Sequence, residues 1–207
     1  MQQTMRDILE AESRAILNIP VSDAYARAVE AIVERVHRRG GKLVTSGMGK
    51  AGQIAMNIAT TFSSTGTPAV NLHPSEAQHG DLGVVQPNDI MLLISNSGKT
   101  REILELVDLL AGLYSGHVPI IAITGNEDSP LGHLADITLW TGGSPEVCPL
   151  GLTPTTSTTM MTVMGDVLVV STMKAIGFTV EDYARRHHGG YLGSAARAAS
   201  SVDNSGK

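Results

Sequence analysis

Cysteine occurs once in this chain of 207 residues, at Cys148, so no internal disulfide can form. The sequence therefore suits a reducing compartment, and a cytoplasmic location is expected. The opening stretch MQQTMRDILEAES has no apolar centre followed by a small-residue cleavage site, so it does not read as a secretion signal. Nor does the chain contain the run of about 18 apolar residues that a membrane span needs. Its richest stretch, Met160 to Val170, is interrupted by Gly165-Asp166. A soluble protein with no membrane partner is expected. An excess of positive charge is also missing: the formal net charge is -5. Lys and Arg are dispersed apart from Arg38-Arg39 and Arg185-Arg186, which leaves no basic stripe for a phosphodiester backbone. Nucleic acid is not an expected partner. What the chain does have is 42% hydrophobic residues, enough at this length to bury one substantial core in one domain.

From Ser22 to Arg39 the apolar residues Tyr25, Val29, Ile32, Val33 and Val36 recur at helical spacing, Ser22 can cap the start and Gly40 follows the end. Short β-type runs come next: Lys42 to Thr45, Ala69 to Leu72, Ile90 to Ile94, Pro119 to Thr124 and Ile137 to Trp140. Helical stretches such as Gln53 to Phe62 and Glu102 to Leu110 separate most of them. This alternation predicts an α/β fold with a five-stranded parallel sheet flanked by helices on both faces, a three-layer sandwich. A loop from Thr141 to Pro154 then leads into a long helix over Ser157 to Ile176 that stops at Gly177, followed by a short polar helix. The expected organisation is N-terminal helices over 1–40, a core over 41–193 and a disordered tail over 194–207.

In open parallel sheets ligands bind beyond the carboxyl ends of the strands, so the segments after the strands carry the functional reading. The first is Ser46-Gly47-Met48-Gly49-Lys50-Ala51-Gly52, whose glycines match the G-x-G-x-x-G spacing of a dinucleotide site. Such a site also uses an acidic residue at the end of the second strand, where this chain has Asn71-Leu72-His73-Pro74. A nucleotide P-loop fails as well: the glycine it requires five residues before Gly49 is Val44, and Lys50 is followed by Ala51 rather than Ser or Thr. What survives is a tight turn that aims backbone N–H groups and the Lys50 ammonium at an anion or a sugar oxygen, or else glycines that only pack helix on strand.

The second segment, Ser95-Asn96-Ser97-Gly98-Lys99-Thr100, offers hydroxyls and the amides of a helix start, the donors that a phosphomonoester needs. An ordinary capped helix start has the same composition. The third, His73-Pro74-Ser75-Glu76-Ala77-Gln78-His79-Gly80-Asp81, is dense in titratable groups. His73 and His79 lack the helical offset of a zinc protease, so no metal is assigned. Histidines at this edge can bind sugar hydroxyls or move protons, and a plain polar turn is the alternative. Two more residues complete the set. Glu146 sits in a loop that, folded over the pocket, would be desolvated, raising its pKa toward that of a base. His187 lies in Arg186-His187-His188-Gly189-Gly190, where the glycines permit close backbone approach; a mobile tail is the alternative.

Taken in order, the segments SGMGKAG, TTFSSTGTP, HPSEAQHGDLG, SNSGKTREI, CPLGLTPTTSTT and RHHGGYLG resemble the sugar isomerase (SIS) domain of the arabinose 5-phosphate isomerases, over about residues 40 to 193. The resemblance implies a homotetramer that interconverts D-ribulose 5-phosphate and D-arabinose 5-phosphate without an organic cofactor. It also implies a role in supplying Kdo, the acidic sugar of lipopolysaccharide and some capsules. It places the catalytic set on Lys50, Glu102, Glu146 and His187. Substrate contacts fall on Ser46, Gly47, Gly66, Thr67, His73, His79, Ser95, Ser97 and Thr100. Glu102 on its own reads as a first-turn carboxylate favoured by the helix dipole. The chain departs from the family at Lys99, often acidic, and at His188, often proline. Long relatives append paired CBS domains that this sequence does not contain, and control through them is expected to be absent.

The implied chemistry is proton transfer between C1 and C2 of an open-chain pentose 5-phosphate through an enediolate. Glu146 leads as base, His187 as proton shuttle or ring opener, and Lys50 as oxyanion stabiliser. The rivals are an SIS isomerase of another phosphosugar, a non-catalytic sugar-phosphate sensor, and a dinucleotide-dependent oxidoreductase, which the missing second-strand acid disfavours.

Overall fold

The computed structural model describes residues 1–191, 193–195 and 199, so most of the expected tail over 194–207 lies outside the described residues. Helix α1 (Gln2–Leu17) is followed by α2 (Asp23–Ile32), which runs directly into a π-helical segment, Val33–Arg38. Ser22 occupies the N-cap of α2 but makes no side-chain capping bond, and Gly40 turns the chain with φ of 71°. Strand β1 (Leu43–Gly47) leads to α3 (Gly49–Ser64), β2 (Ala69–Asn71), the short α4 (Pro74–Ala77) and a 3-10 turn, Asp81–Val84. Strand β3 (Ile90–Ile94), α5 (Arg101–Leu113), β4 (Ile120–Thr124), α6 (Pro130–Leu134) and β5 (Ile137–Trp140) come next. Helices α7 (Thr156–Ala175) and α8 (Val180–Arg186) follow. The five strands pair in parallel in the order β2-β1-β3-β4-β5, as the alternation of elements predicts.

Every residue of β1, β3 and β4 is buried, which is what a strand covered on both faces requires and why these segments read as apolar runs. Side chains alternate between the faces. Ile90, Leu92 and Ile94 join Ile32, Ile58, Phe62 and Leu168 in a core beneath α2, α3 and α7. Met91 and Leu93 join Ile103, Leu106 and Leu131 on the other side, beneath α5 and α6. Burying a residue such as fully enclosed Leu92 or Leu106 is worth about 1.5–3 kcal/mol. Within α7, Gly165 lets that helix approach α3, because a Cβ there would lie 2.5 Å from Cδ1 and Cγ1 of Ile58. At the amino edge of the sheet, buried Asp89 accepts from the backbone N and Nζ of Lys42 at 2.8 and 2.6 Å and from the Gln86 amide at 2.7 Å. Among the described residues no single helix is long and apolar enough to cross a membrane.

Candidate active site

The strand order reverses at β1, whose neighbours are β2 and β3, so the chain leaves the carboxyl ends of β1 and β3 in opposite directions and a crevice opens between them. A cleft of about 400 Å³ lies there. Met48 and Lys50 line it from the loop after β1, Ser95, Ser97 and Thr100 from the loop after β3, and Pro154, Ser157 and Thr158 from the start of α7.

The first wall depends on two glycines in close approach. A Cβ on Gly47 would sit 2.7 Å from the backbone carbon of Ala51, and one on Gly52 would sit 2.6 Å from the Gly47 carbonyl oxygen. Only glycine lets β1 turn this tightly into α3. Lys50, in the first turn of α3, is exposed and forms no ion pair or hydrogen bond among the described residues. Its ammonium is therefore available to an anion entering the cleft. Ser46 is fully buried and donates to the Leu72 carbonyl at 2.6 Å, so its hydroxyl ties β1 to the end of β2.

The second wall is a helix start whose own side chain does not cap it. Thr100 is the N-cap of α5, yet its hydroxyl pairs with the Ser95 hydroxyl at 2.8 Å and makes no capping bond. The first-turn amides of α5 are thus left without their usual side-chain acceptor, with the positive end of the helix dipole behind them. The loop is braced from outside the cleft. Leu131 N donates to the Gly98 carbonyl at 3.1 Å, and Gly125 N donates to the Asn96 carbonyl at 3.0 Å. Gly98 has φ of +62°, and a Cβ there would overlap the Ser129 side chain. The hydroxyls of Ser95, Ser97 and Thr100 with these amides form a donor set suited to a phosphate group.

The third wall is set by Glu146. Its Oε2 accepts from the Thr155 amide at 2.7 Å, the Thr155 hydroxyl at 2.9 Å and the Ser157 amide at 3.3 Å, which makes it the acceptor that α7 lacks from its own N-cap side chain. Burial pushes the carboxyl up, but hydrogen bonds from Ser157 and Thr155 together outweigh that, and the pKa lies below the usual carboxylate range. The sequence reading anticipated a rise from desolvation. The desolvation is present, and the helix-start donors reverse its effect. Glu146 does not line the Lys50 cleft. It lines a second cavity, of about 510 Å³, between α1 and residues Ser144 to Val147.

The remaining expected residues lie elsewhere in the single chain. Glu102 sits in the first turn of α5, 3.7 Å from the Arg101 guanidinium, and is not part of the cleft lining. His73 and His79 are exposed at the end of β2 and after α4, and neither belongs to a cluster able to hold a metal among the described residues. Gly66 and Thr67 precede β2 and so occupy the opposite, amino edge of the sheet. Thr67 is buried with its hydroxyl 3.0 Å from His37 Nε2, and Gly66 has φ of +92° with the Phe178 ring where a Cβ would fall. Phe178 lies 5.3 Å under the Arg186 guanidinium, so α8 closes over this edge. His187, the next residue, stacks on Tyr183 at 3.7 Å with Nδ1 3.0 Å from the Tyr183 carbonyl. The structure thus gathers Lys50, Ser95, Ser97 and Thr100 at one sheet edge and places Gly66 and Thr67 at the other, while His187 follows α8 and packs on Tyr183. Sequence reasoning missed the contribution of Ser157 and Thr158, although a Thr-Thr-Ser-Thr run at a helix start carries the same donor signal as the loop after β3.

Comparison with known proteins agrees with this fold. Residues 37–171 match the SIS domain model. Arabinose 5-phosphate isomerase KdsD of Yersinia pestis is 47% identical over 194 residues, covering 93% of this chain and 57% of that protein. The chain therefore spans little more than half the length of the curated relatives it matches. A candidate phosphosugar isomerase involved in capsule formation from Bacteroides fragilis superposes with a TM-score of 0.90 at 65% identity, covering 92% of this chain and 99% of that one. An Escherichia coli CFT073 protein in complex with arabinose 5-phosphate superposes with a TM-score of 0.79 at 34% identity, covering 90% and 94%.

Proposed function

Because the chain belongs to the SIS domain family, we propose that it is an aldose-ketose isomerase that interconverts D-arabinose 5-phosphate and D-ribulose 5-phosphate. The observation that carries this reading is the cleft itself: a Lys50 ammonium with no partner among the described residues lines one crevice with a hydroxyl-rich helix start that its own N-cap side chain does not cap. The arabinose 5-phosphate carried by the Escherichia coli relative is a sugar phosphate of the class such a donor set accommodates.

The loop Ser95 to Thr100 holds the phosphate and fixes the sugar in register, so that binding energy from the remote phosphate assists the proton transfer. From the ketose, a base removes a proton at C1, the carbonyl oxygen O2 gathers negative charge as the enediolate forms, the O1 hydroxyl proton passes to O2, and a proton is returned at C2. Lys50 stabilises that oxygen. The proton carriers are drawn from Glu102 and His187. Gly66 and Thr67 lie at the opposite sheet edge from Lys50, which supports an active unit built from more than one copy, with a homotetramer as the proposed assembly. The product would supply Kdo synthesis for lipopolysaccharide or capsule.

The test is incubation of the protein with D-ribulose 5-phosphate and a chelator in deuterium oxide, followed by NMR. Deuterium is expected at C2 of newly formed D-arabinose 5-phosphate. Lys50→Met is expected to lower kcat/KM by about 100-fold or more, the loss typical of one oxyanion donor, with unchanged folding. No exchange and no aldose product would overturn the proposal.

A further inference from the structure

We propose that Glu146 serves the cleft as a positioning residue, holding the first turn of α7 so that Ser157 and Thr158 present themselves to the sugar phosphate, and that another group supplies the base. The inference rests on the isomerase reading above and assigns one carboxylate within it.

Three observations carry it. One carboxylate oxygen takes three donors, two of them backbone amides at the start of α7. The N-cap residue Thr155 has φ of -134° and ψ of -80° and makes no side-chain cap of its own, so the acceptor for α7 comes from nine residues upstream. Finally, the side chain faces the cavity beside α1, while the residues it holds, Ser157 and its neighbour Thr158, face the cleft. The loop is closed a second time by Val147 N, which donates to the Thr156 hydroxyl at 3.1 Å. Glu146 and Val147 therefore clasp the start of α7 by reciprocal bonds, one from helix amides to carboxylate and one from loop amide to helix hydroxyl. A base needs a proton affinity matched to its working pH, whereas a clasp needs an acceptor that stays charged. The donors around Glu146 favour the charged form.

The two roles separate on substitution. Glutamine keeps an acceptor oxygen for Thr155 and Ser157 but cannot take a proton, and alanine removes both capacities. For a clasp, Glu146→Gln is expected to keep kcat/KM within about fivefold of the parent, with the acidic limb of its pH profile in place. Glu146→Ala is expected to fall by about 100-fold, as a misplaced wall would cause. Equal losses of about 100-fold or more in both variants, the signature of a removed base, would overturn the assignment, and so would an Ala variant as active as the parent. A readout independent of turnover is the NMR shift of the Thr155 and Ser157 amide protons during acid titration. These are expected to move with a carboxylate titration in the parent and to stay still in Glu146→Gln. Amides that do not move in the parent would refute the clasp even if no isomerase activity were found, whereas absence of turnover in the parent would refute the isomerase reading alone.

Discussion

Replacing Gly98 by alanine tests how the phosphate-side loop is held. Two costs are separable in the structure. The first is conformational: φ of +62° lies in the left-handed region, where a Cβ costs about 1–2 kcal/mol. The second is steric: the new methyl overlaps Ser129 Oγ and Cβ and approaches Thr124 Oγ1 at 3.1 Å, an overpacking worth about 1–3 kcal/mol. The single variant should therefore lose about 2–5 kcal/mol in urea unfolding at 25 °C. Ser129→Gly removes the obstructing side chain and also the bond by which Ser129 caps Gly132 N at 3.2 Å. Glycine at an N-cap costs only about a few tenths of a kcal/mol. The double variant should then be more stable than Gly98→Ala alone, because the steric cost is gone and only the conformational one remains. A double variant as unstable as the sum of the two singles would refute the reasoning, since it would mean that Ser129 does not set the position of Gly98.

Asp89→Ala leaves the Lys42 ammonium and two amides unpaired around a buried carboxylate position and should cost about 3–5 kcal/mol by chemical unfolding. Hydrogen bonds from the Thr153 side chain and amide and from the Leu150 and Leu152 amides hold the Cys148 thiol down to about 7. Because the thiolate is the nucleophile, alkylation by iodoacetamide should rise with pH and reach half its maximum near that value, and Thr153→Val should shift the midpoint upward. The Glu146 pKa is lower folded than unfolded, so its contribution to stability is present above the unfolded value of about 4.3 and is lost as pH falls through the folded one. Urea unfolding at stepped pH should show this acid loss in the parent and a smaller one in Glu146→Gln.

Strands β1, β3 and β4 were legible because they are buried on both faces, and the partly buried β2 and β5 still read as short β-type runs: Ile90–Ile94 and Ile137–Trp140 coincide with the expected segments, β2 and β4 differ by one residue at one end, and β1 starts one residue later and ends two residues later. The long helix that became α7 was visible from the length of its apolar stretch between Pro154 and Gly177. Helix α1 was expected only within the N-terminal helices over 1–40 and was given no bounds, because it buries only Ala15 and its pattern carries little core signal. Helices α4 and α6 are single turns begun by Pro74 and Pro130, too short for periodicity to report. The Ser129-Pro130 pair was the available cue for α6, since serine at an N-cap before proline is a helix-start signature. Within the site, Lys50 and the serine loop were readable from their place after strands. The place of Gly66 and Thr67 at the far edge follows from their position before β2, which the parallel order fixes once it is known. The clasp on α7 was hidden, because it joins Glu146 to residues 155 and 157 through a loop whose path no local pattern encodes.

The brace behind the serine loop has a practical meaning for how such a cleft can change. Its contour is copied from a backing layer, Gly125 and Ser129 to Leu131, that contributes nothing to the lining. Altered preference for one phosphorylated sugar over another could thus arise from residues that never meet the ligand. A survey of variants confined to the visible walls would overlook the template from which one of them is cast.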